Sequence, residues 1–426
     1  MTFRYGPLAA DWTLDYELMN YTYLSRVLCA VTIISLPNLI FGCGTLSTWQ
    51  INPDEKVSRG VLDADTLDGQ VNTLANEFMQ QGHAPGLVIG ILQPAGTTRF
   101  YGYGTTRAED GTLPNENTLF AVGSLSKGFL GAITSILVQQ KEISWDDTLK
   151  KLLPSDIGLS RDAERISVEQ LATHMAGLPR QPITETLLFH FVQYLFTGRN
   201  FYSNLDEQYI FSYLANFDAP TVREPRYSNI GYGILGDILE RRTGKSVDDL
   251  LAEYIARPLK LSHTGYTPED LPGWDDRAYG HAGDQPKFVR RGVLVPDWRF
   301  TKILRGSAAL YSTAHDLLAF AAAHLRDDDS IQTRALKDTL RIRYPRPREA
   351  AAVAWIADDV AGQTITYQIG MVAGYSSYLG IDVANKTAVV VLQNAFNWDI
   401  AMGHKLLLLL ADTGRREKSQ SAFRQF

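Results

Sequence analysis

The placement of strand-like runs limits the fold of this chain more than any other feature. Apolar runs of strand length open the globular pattern in "PGLVIGILQPAGTTRFYGYG", which reads as two strands joined by a Pro-Ala-Gly turn. They return only at the far end, in "AAVAWIA", "QTITYQIG", "YSSYLGID" and "KTAVVVLQN", followed by one helix, "WDIAMGHKLLLLLADTG". Between them, from about residue 143 to residue 324, the pattern is helix and loop, as in "SVEQLATHMAGLP", "LDEQYIFSYLANF", "YSNIGYGILGDILERRTG", "SVDDLLAEYIARPLKL" and "STAHDLLAFAAAHL". Strands so widely separated bury their faces together when the two ends of the chain complete one sheet, leaving the middle as a helical lobe.

A hydrophobic content of 45%, with 11% aromatics, is enough to build the core such a sheet needs. The net charge of −6, without any Lys/Arg block, leaves no footprint for a phosphate backbone and argues against a nucleic-acid partner. Both cysteines, Cys29 and Cys43, precede the globular pattern, so no disulfide framework is expected. That pattern begins near Asp63 with the helix "DTLDGQVNTLANEFMQQG", whose Leu67, Val71, Leu74 and Phe78 recur at helical spacing. The expected organisation is a signal or anchor segment with linker over 1–62, one domain over 63–415, and a polar tail over 416–426. In "RVLCAVTIISLPNLIFGC", Arg26 precedes an apolar run that Pro37 and Asn38 interrupt, which suits a signal peptide better than a spanning helix. The sequence therefore predicts export, to a periplasmic or membrane-anchored location, and the ending "IFGCG" offers Cys43 as a lipidated first residue. An uncleaved anchor that associates with the membrane is the alternative.

The candidate chemistry starts at "AVGSLSKGFLGAI". Ser124 and Lys127 stand three residues apart at a helix start, where positions i and i+3 share a face. A serine hydroxyl needs a base to become a nucleophile, and a lysine can be that base once burial or a nearby cation lowers its pKa from about 10.4. Taken alone, the pair reads more readily as a capped helix start with a solvated lysine. Downstream, "PRYSNIGYGILGDILE" places Tyr227 and Asn229 at another helix entry, with a phenol suited to acid–base work beside a lysine. Third, the strand "TYQIGMVAGYSSYLGID" carries Gly370 and Gly374, expected to let a substrate backbone approach, so that an extended acyl group could align along the strand edge. His174 is expected to be part of the framework, and His315 and His324 to be surface or capping groups. Trp274, Trp298 and Trp355 are candidates for an acyl cleft, although such aromatics are more often core. No Cys/His cluster has metal spacing and no Gly-x-Ser-x-Gly elbow occurs, so neither a metal nor an α/β-hydrolase site is expected, and no cofactor is implied.

The order Ser-x-x-Lys, Tyr-x-Asn and a Gly-containing C-terminal strand resembles the superfamily of class C β-lactamases, DD-peptidases (penicillin-binding proteins) and related serine esterases. Linking blocks such as "APGLVIGIL", "TLFAVGSLSKGFLGA", "VEQLATHMAGLP" and "GSAALYSTAHDLLAF" carry the resemblance from about Thr66 to Asp412. It implies a β-lactamase/transpeptidase-like fold of the α/β class, α+β type. An antiparallel sheet from both chain ends is flanked by helices, with a mostly helical lobe. It further implies an acyl-enzyme on Ser124, with Lys127 as base, Tyr227 as proton shuttle, Asn229 orienting the acyl chain, and an oxyanion hole from the backbone N–H groups of Ser124 and Met371. The substrate would be a β-lactam, a peptidoglycan-type peptide or a small ester. One departure stands out: the family's usual Lys-Thr-Gly or His-x-Gly is here Gln368-Ile369-Gly370. A neutral amide binds a carboxylate less strongly than a cation does, which favours uncharged substrates unless a cation from elsewhere, such as Arg305, takes over. A slow or inactive penicillin-binding sensor with an impaired third motif is the alternative reading.

Overall fold

Two antiparallel strands, β1 (Gly86–Leu92) and β2 (Thr98–Gly104), meet five strands from the other end of the chain in one sheet. A computed structural model describes residues 66–94, 96–360, 362–399 and 401–423, with side chains to Asp412. A small ladder joins β3 (Phe120–Ala121) to β4 (Tyr311–Ser312). The late strands are β5 (Ala350–Ala351), β6 (Ile356–Val360), β7 (Gln363–Val372), β8 (Tyr375–Asp382) and β9 (Thr387–Gln393). The large sheet runs β2-β1-β9-β8-β7-β6-β5 with every neighbour antiparallel. The N-terminal hairpin thus docks on the last strand, as the distribution of apolar runs requires.

β1, β8 and β9 are buried along their whole length, which explains the near-continuous apolar runs of β1 and β9: helices cover both faces. On one face, Val71, Leu74 and Phe78 of α1 (Leu67–Gln80) pack with Leu87, Ile89 and Ile91 against the final helix. On the other face lies α6 (Ala314–His324), whose Leu318 fills the space left by Gly90. Between sheet and lobe runs α2 (Ser126–Gln139), buried at every position from Ser126 to Leu137. A helix apolar on all sides belongs in the interior. The lobe contributes α3 (Glu185–Thr197), α4 (Glu207–Ala215) and α5 (Asn229–Thr243); α7 (Ile331–Leu340) packs on α2, and α8 (Ala401–Phe423) closes the chain.

Three expectations need correction. "AAVAWIA" is a hairpin and not one strand: Ala354 takes φ +66°, and Ala351 folds back to pair with Ile356. "SVEQLATHMAGLP" is helical only over Val168–Ala172, because His174 enters the left-handed region at φ +61°. His324 is not a surface group; it is buried at the end of α6, its Nδ1 bonded to the Phe320 carbonyl and its ring edge-on to Trp355. An apolar helix packed on two sides buries its terminal histidine as well. The segment 1–62, Cys43 included, lies outside the described residues. No helix among the described residues is long and apolar enough to cross a membrane.

Candidate active site

Ser124 stands in a 3-10 turn, Gly123–Leu125, that leads directly into α2. The β3–β4 ladder fixes this turn: Val122 N–H donates to Leu310 C=O at 2.9 Å, Ser126 Oγ donates to Gly123 C=O at 2.6 Å, and Leu310 N–H donates to Ser126 Oγ at 3.1 Å. Gly123 has φ +52°, and a Cβ there would meet Met371 N at 3.1 Å. The absent side chain therefore lets the Met371 amide sit beside the serine turn.

One turn on, Lys127 is only 1% exposed, which is rare for a lysine. Its Nζ lies 3.1 Å from Ser124 Oγ and donates to Ser307 C=O at 2.8 Å, with no carboxylate partner among the described residues. Burial, reinforced by the charge of Arg180, drives this amine well below the ordinary lysine range. Lys127 is thus a buried amine, biased toward its neutral form, beside a serine hydroxyl.

The Tyr-x-Asn segment is held by the loop that precedes α3. Ser228 caps α5, its Oγ accepting from Gly231 N–H at 2.9 Å and donating to Pro179 C=O at 2.7 Å. Its N–H donates to His174 Nδ1 at 3.1 Å, and Asn229 N–H donates to Arg180 C=O at 3.0 Å. The His174 ring lies 4.5 Å from that of Tyr227, and burial, with Lys127 and Arg180 nearby, keeps the imidazole neutral. Its role here is to hold the tyrosine. Lys127 Nζ is 4.8 Å from the Tyr227 ring centroid, and Arg180 Cζ is 4.4 Å from it. Burial pushes the phenol up to about 12, against the pull of Arg180 and the Ser124 hydroxyl it faces, so Tyr227 carries its proton at neutral pH. Asn229 Nδ2 donates to the Tyr202 hydroxyl at 3.3 Å.

The third segment is β7. Beyond Tyr367, paired with Ile356, its outer side has no partner strand among the described residues, so Gln368 to Val372 form an open edge beside Ser124. Gln368 is 4% exposed and packs on the first turn of α2, where a Cβ on Gly128 would lie 2.2 Å from its Nε2. The reason for Gly370 differs from the expected one: a Cβ there would sit 2.0 Å from Val122 O and 2.3 Å from Ser377 Oγ. This glycine admits the protein's own backbone, and Ser377 Oγ donates to that Val122 carbonyl at 2.9 Å. Gly374 likewise makes room for the Gly280–His281 backbone rather than for a ligand.

Around Ser124 the surface forms two connected chambers that share Ser124, Arg180 and Met371. One holds Lys127, Tyr227, Gln368 and Trp355; the other holds Asn229, Ser307 and the aromatic side chains Tyr202, Trp298 and Phe300. Tyr227 Oη, Asn229 Oδ1, Ser307 Oγ and both polar atoms of Gln368 are buried without a protein partner. Because buried polar atoms are nearly always paired, such a cluster marks groups left for a ligand. Of the tryptophans, Trp298 and Trp355 line the cleft; Trp274 instead packs on Tyr311 and Arg277. Arg305 does not serve the site, since it pairs with Asp248 at 2.8 Å. Arg180, which no sequence motif marked, is the cation present. Among the described residues, no group of His, Cys, Asp and Glu could hold a metal ion.

The family described as Beta-lactamase matches residues 71–412. The chain is 28% identical over 266 residues to a beta-lactamase of Yersinia enterocolitica, covering 61% of this chain and 59% of that protein. It is 25% identical over 368 residues to an unguisins hydrolase of Aspergillus campestris, covering 79% and 64%. The chain thus spans about three fifths of the length of these curated relatives. In fold it is similar to a class C beta lactamase from Rhodobacter sphaeroides, with a TM-score of 0.67 at 22% identity over 80% of this chain and 99% of that one. With a family match over most of its length and the Ser124, Lys127 and Tyr227 side chains gathered at one cleft, the chain belongs to the Beta-lactamase family.

Proposed function

We propose that this protein is a serine acyl hydrolase that forms a covalent acyl-enzyme on Ser124 and cleaves an ester or amide, whether a β-lactam, a D-amino-acid peptide or a small ester. The observation that carries the reading is the placement of two proton-handling groups at one oxygen: a buried amine, its pKa lowered by burial and Arg180, 3.1 Å from Ser124 Oγ, and a protonated phenol facing the same oxygen. Ser124 Oγ attacks the carbonyl carbon while its proton passes to Lys127. The carbonyl oxygen becomes an oxyanion against the N–H groups of Ser124 and Met371. As the bond to the leaving group breaks, Tyr227 supplies the leaving group's proton, and Lys127 returns one to Tyr227. Water then attacks the ester, its proton taken by the same pair, and Ser124 Oγ leaves as the hydroxyl. One lost oxyanion donor costs about 2.7–4 kcal/mol of transition-state stabilisation.

The chamber with Asn229 would hold the acyl group, and its Tyr202, Trp298 and Phe300 walls favour an acyl part with apolar bulk. Leaving-group chemistry falls to the chamber with Tyr227. The apolar segment ending at Cys43 supports export of this domain, either with Cys43 lipidated or with the segment retained as an anchor. Turnover of a short-chain p-nitrophenyl ester and of nitrocefin, measured side by side, tests the hydrolase reading. At least one should be cleaved, and Ser124→Ala should lower that rate on the order of 10⁴-fold or more. Turnover that survives Ser124→Ala would overturn it.

A further inference from the structure

The neutral Gln368 removes from β7 the cation that the family's third motif usually offers. The structure brings another to the same chamber from the opposite side. Arg180 follows the Gly177-Leu178-Pro179 turn of the lobe, is anchored where its carbonyl accepts from Asn229 N–H at 3.0 Å, and lies over the Tyr227 ring at 4.4 Å. Several other arginines of the fold are matched by carboxylates, such as Arg277 with Asp297 at 3.0 Å and Arg305 with Asp248 at 2.8 Å. Arg180 has no such ion-pair partner among the described residues. Its neighbours in the cleft do not offset it: burial favours the neutral forms of His174 and Lys127, and among the described residues no Asp or Glu lines either chamber. The cleft therefore presents one uncompensated positive charge beside the nucleophile. A second, independent feature points the same way, since Gln368 Nε2 is a buried donor on that chamber without a protein partner.

We propose that Arg180 binds a carboxylate carried on the leaving-group side of the substrate, with the Gln368 amide as a neutral second donor. Arg180 borders both chambers, so the side follows from its second donor: Gln368 lines only the chamber of Tyr227, the leaving-group acid, while Asn229 lines only the other. A guanidinium fork can hold a carboxylate bidentately, which a lysine cannot do. The proposal rests on the hydrolase reading above and reverses one expectation from the sequence: loss of the third-motif cation moves carboxylate recognition to the lobe and does not abolish it.

The test compares a phenyl ester with its meta-carboxyphenyl counterpart, both carrying one acyl group. Wild-type protein should prefer the carboxylated ester in kcat/KM. Arg180→Gln should reduce that preference about 10²-fold, mainly through KM, and Arg180→Lys should reduce it less. The ratio is the readout, because any common loss through Tyr227 falls on both esters and cancels. A ratio unchanged by Arg180→Gln would overturn the proposal and leave Arg180 as a group acting only through Tyr227 and Lys127. Phenylboronic acid, which binds a nucleophilic serine reversibly, reports on Ser124 itself without turnover. Boronate binding that persists undiminished in Ser124→Ala counts against the hydrolase reading instead of the Arg180 proposal.

Discussion

Lys127→Met slows acylation of Ser124 by about 10²–10⁴-fold, the usual contribution of a positioned general base. Methionine keeps the length and the apolar stem of the lysine, so α2 remains filled. It leaves the Ser307 carbonyl without the donor now 2.8 Å away, at a cost of about 1–3 kcal/mol. That cost is offset in part because an ionisable amine no longer has to be desolvated. The pH dependence separates loss of the base from a general loss of fold. Lys127 works only when unprotonated, so wild-type acylation falls as pH drops through its pKa. Because burial and Arg180 depress that pKa, the rising limb lies well below pH 10.5, where an ordinary lysine would place it. The falling limb belongs to Tyr227, which must keep its proton and loses it only toward about 12. Burst amplitudes and rates with a p-nitrophenyl ester across this range check the assignment. A rising limb near pH 10, or a Lys127→Met variant that keeps the wild-type burst rate, is inconsistent with it.

Gly370→Ala carries the second large effect. Its Cβ would lie 2.0 Å from Val122 O, a backbone atom tied by Val122 N–H to Leu310 C=O at 2.9 Å and by its carbonyl to Ser377 Oγ at 2.9 Å. Overpacking a core position typically costs about 1–3 kcal/mol, and because a braced backbone cannot rotate aside, the upper end of that range or more is expected. The displaced element is the turn that carries Ser124. A misplacement of about 1 Å in a catalytic group costs about 10²-fold in rate, so activity falls together with Tm. Gly236→Ala in α5 is the control, since its Cβ would make only ordinary contacts at 3.6 Å from Val247 and 3.7 Å from Leu130. Thermal unfolding and ester turnover of the two variants should diverge; similar behaviour would mean that Gly370 is not pinned between strand and turn.

Legibility from sequence followed the range of the interactions involved. Ser124 with Lys127, and Tyr227 with Asn229, are pairs three and two residues apart, and local helix entry brings each pair to the cleft. The single sheet from both chain ends was readable because full burial on two faces leaves continuous apolar runs in β1 and β9. Arg180 was not readable. Its place at the site depends on Asn229, 49 positions away, bonding to its carbonyl, and nothing in the spacing around it records that contact. Gly370 was recognised for the wrong reason, because a missing Cβ looks the same in sequence whether it admits a substrate or Val122. Gly128 held an unread signal: directly after Lys127, it leaves the space that the Gln368 side chain occupies. Helices α3 and α7 passed unnoticed, and the first is apolar at nearly every position, "ETLLFHFVQYLFT", so it shows little periodic contrast.

The central claim is that Ser124 becomes covalently acylated through Lys127. It is tested most directly by acid-quenching the full chain with a slowly hydrolysed ester or penicillin, measuring the intact mass and mapping the adduct by peptide digestion. The expected result is one acyl group per chain on the peptide containing Ser124, absent in Ser124→Ala and formed far more slowly in Lys127→Met. Turnover without a trapped adduct, or an adduct on another residue, would contradict the account.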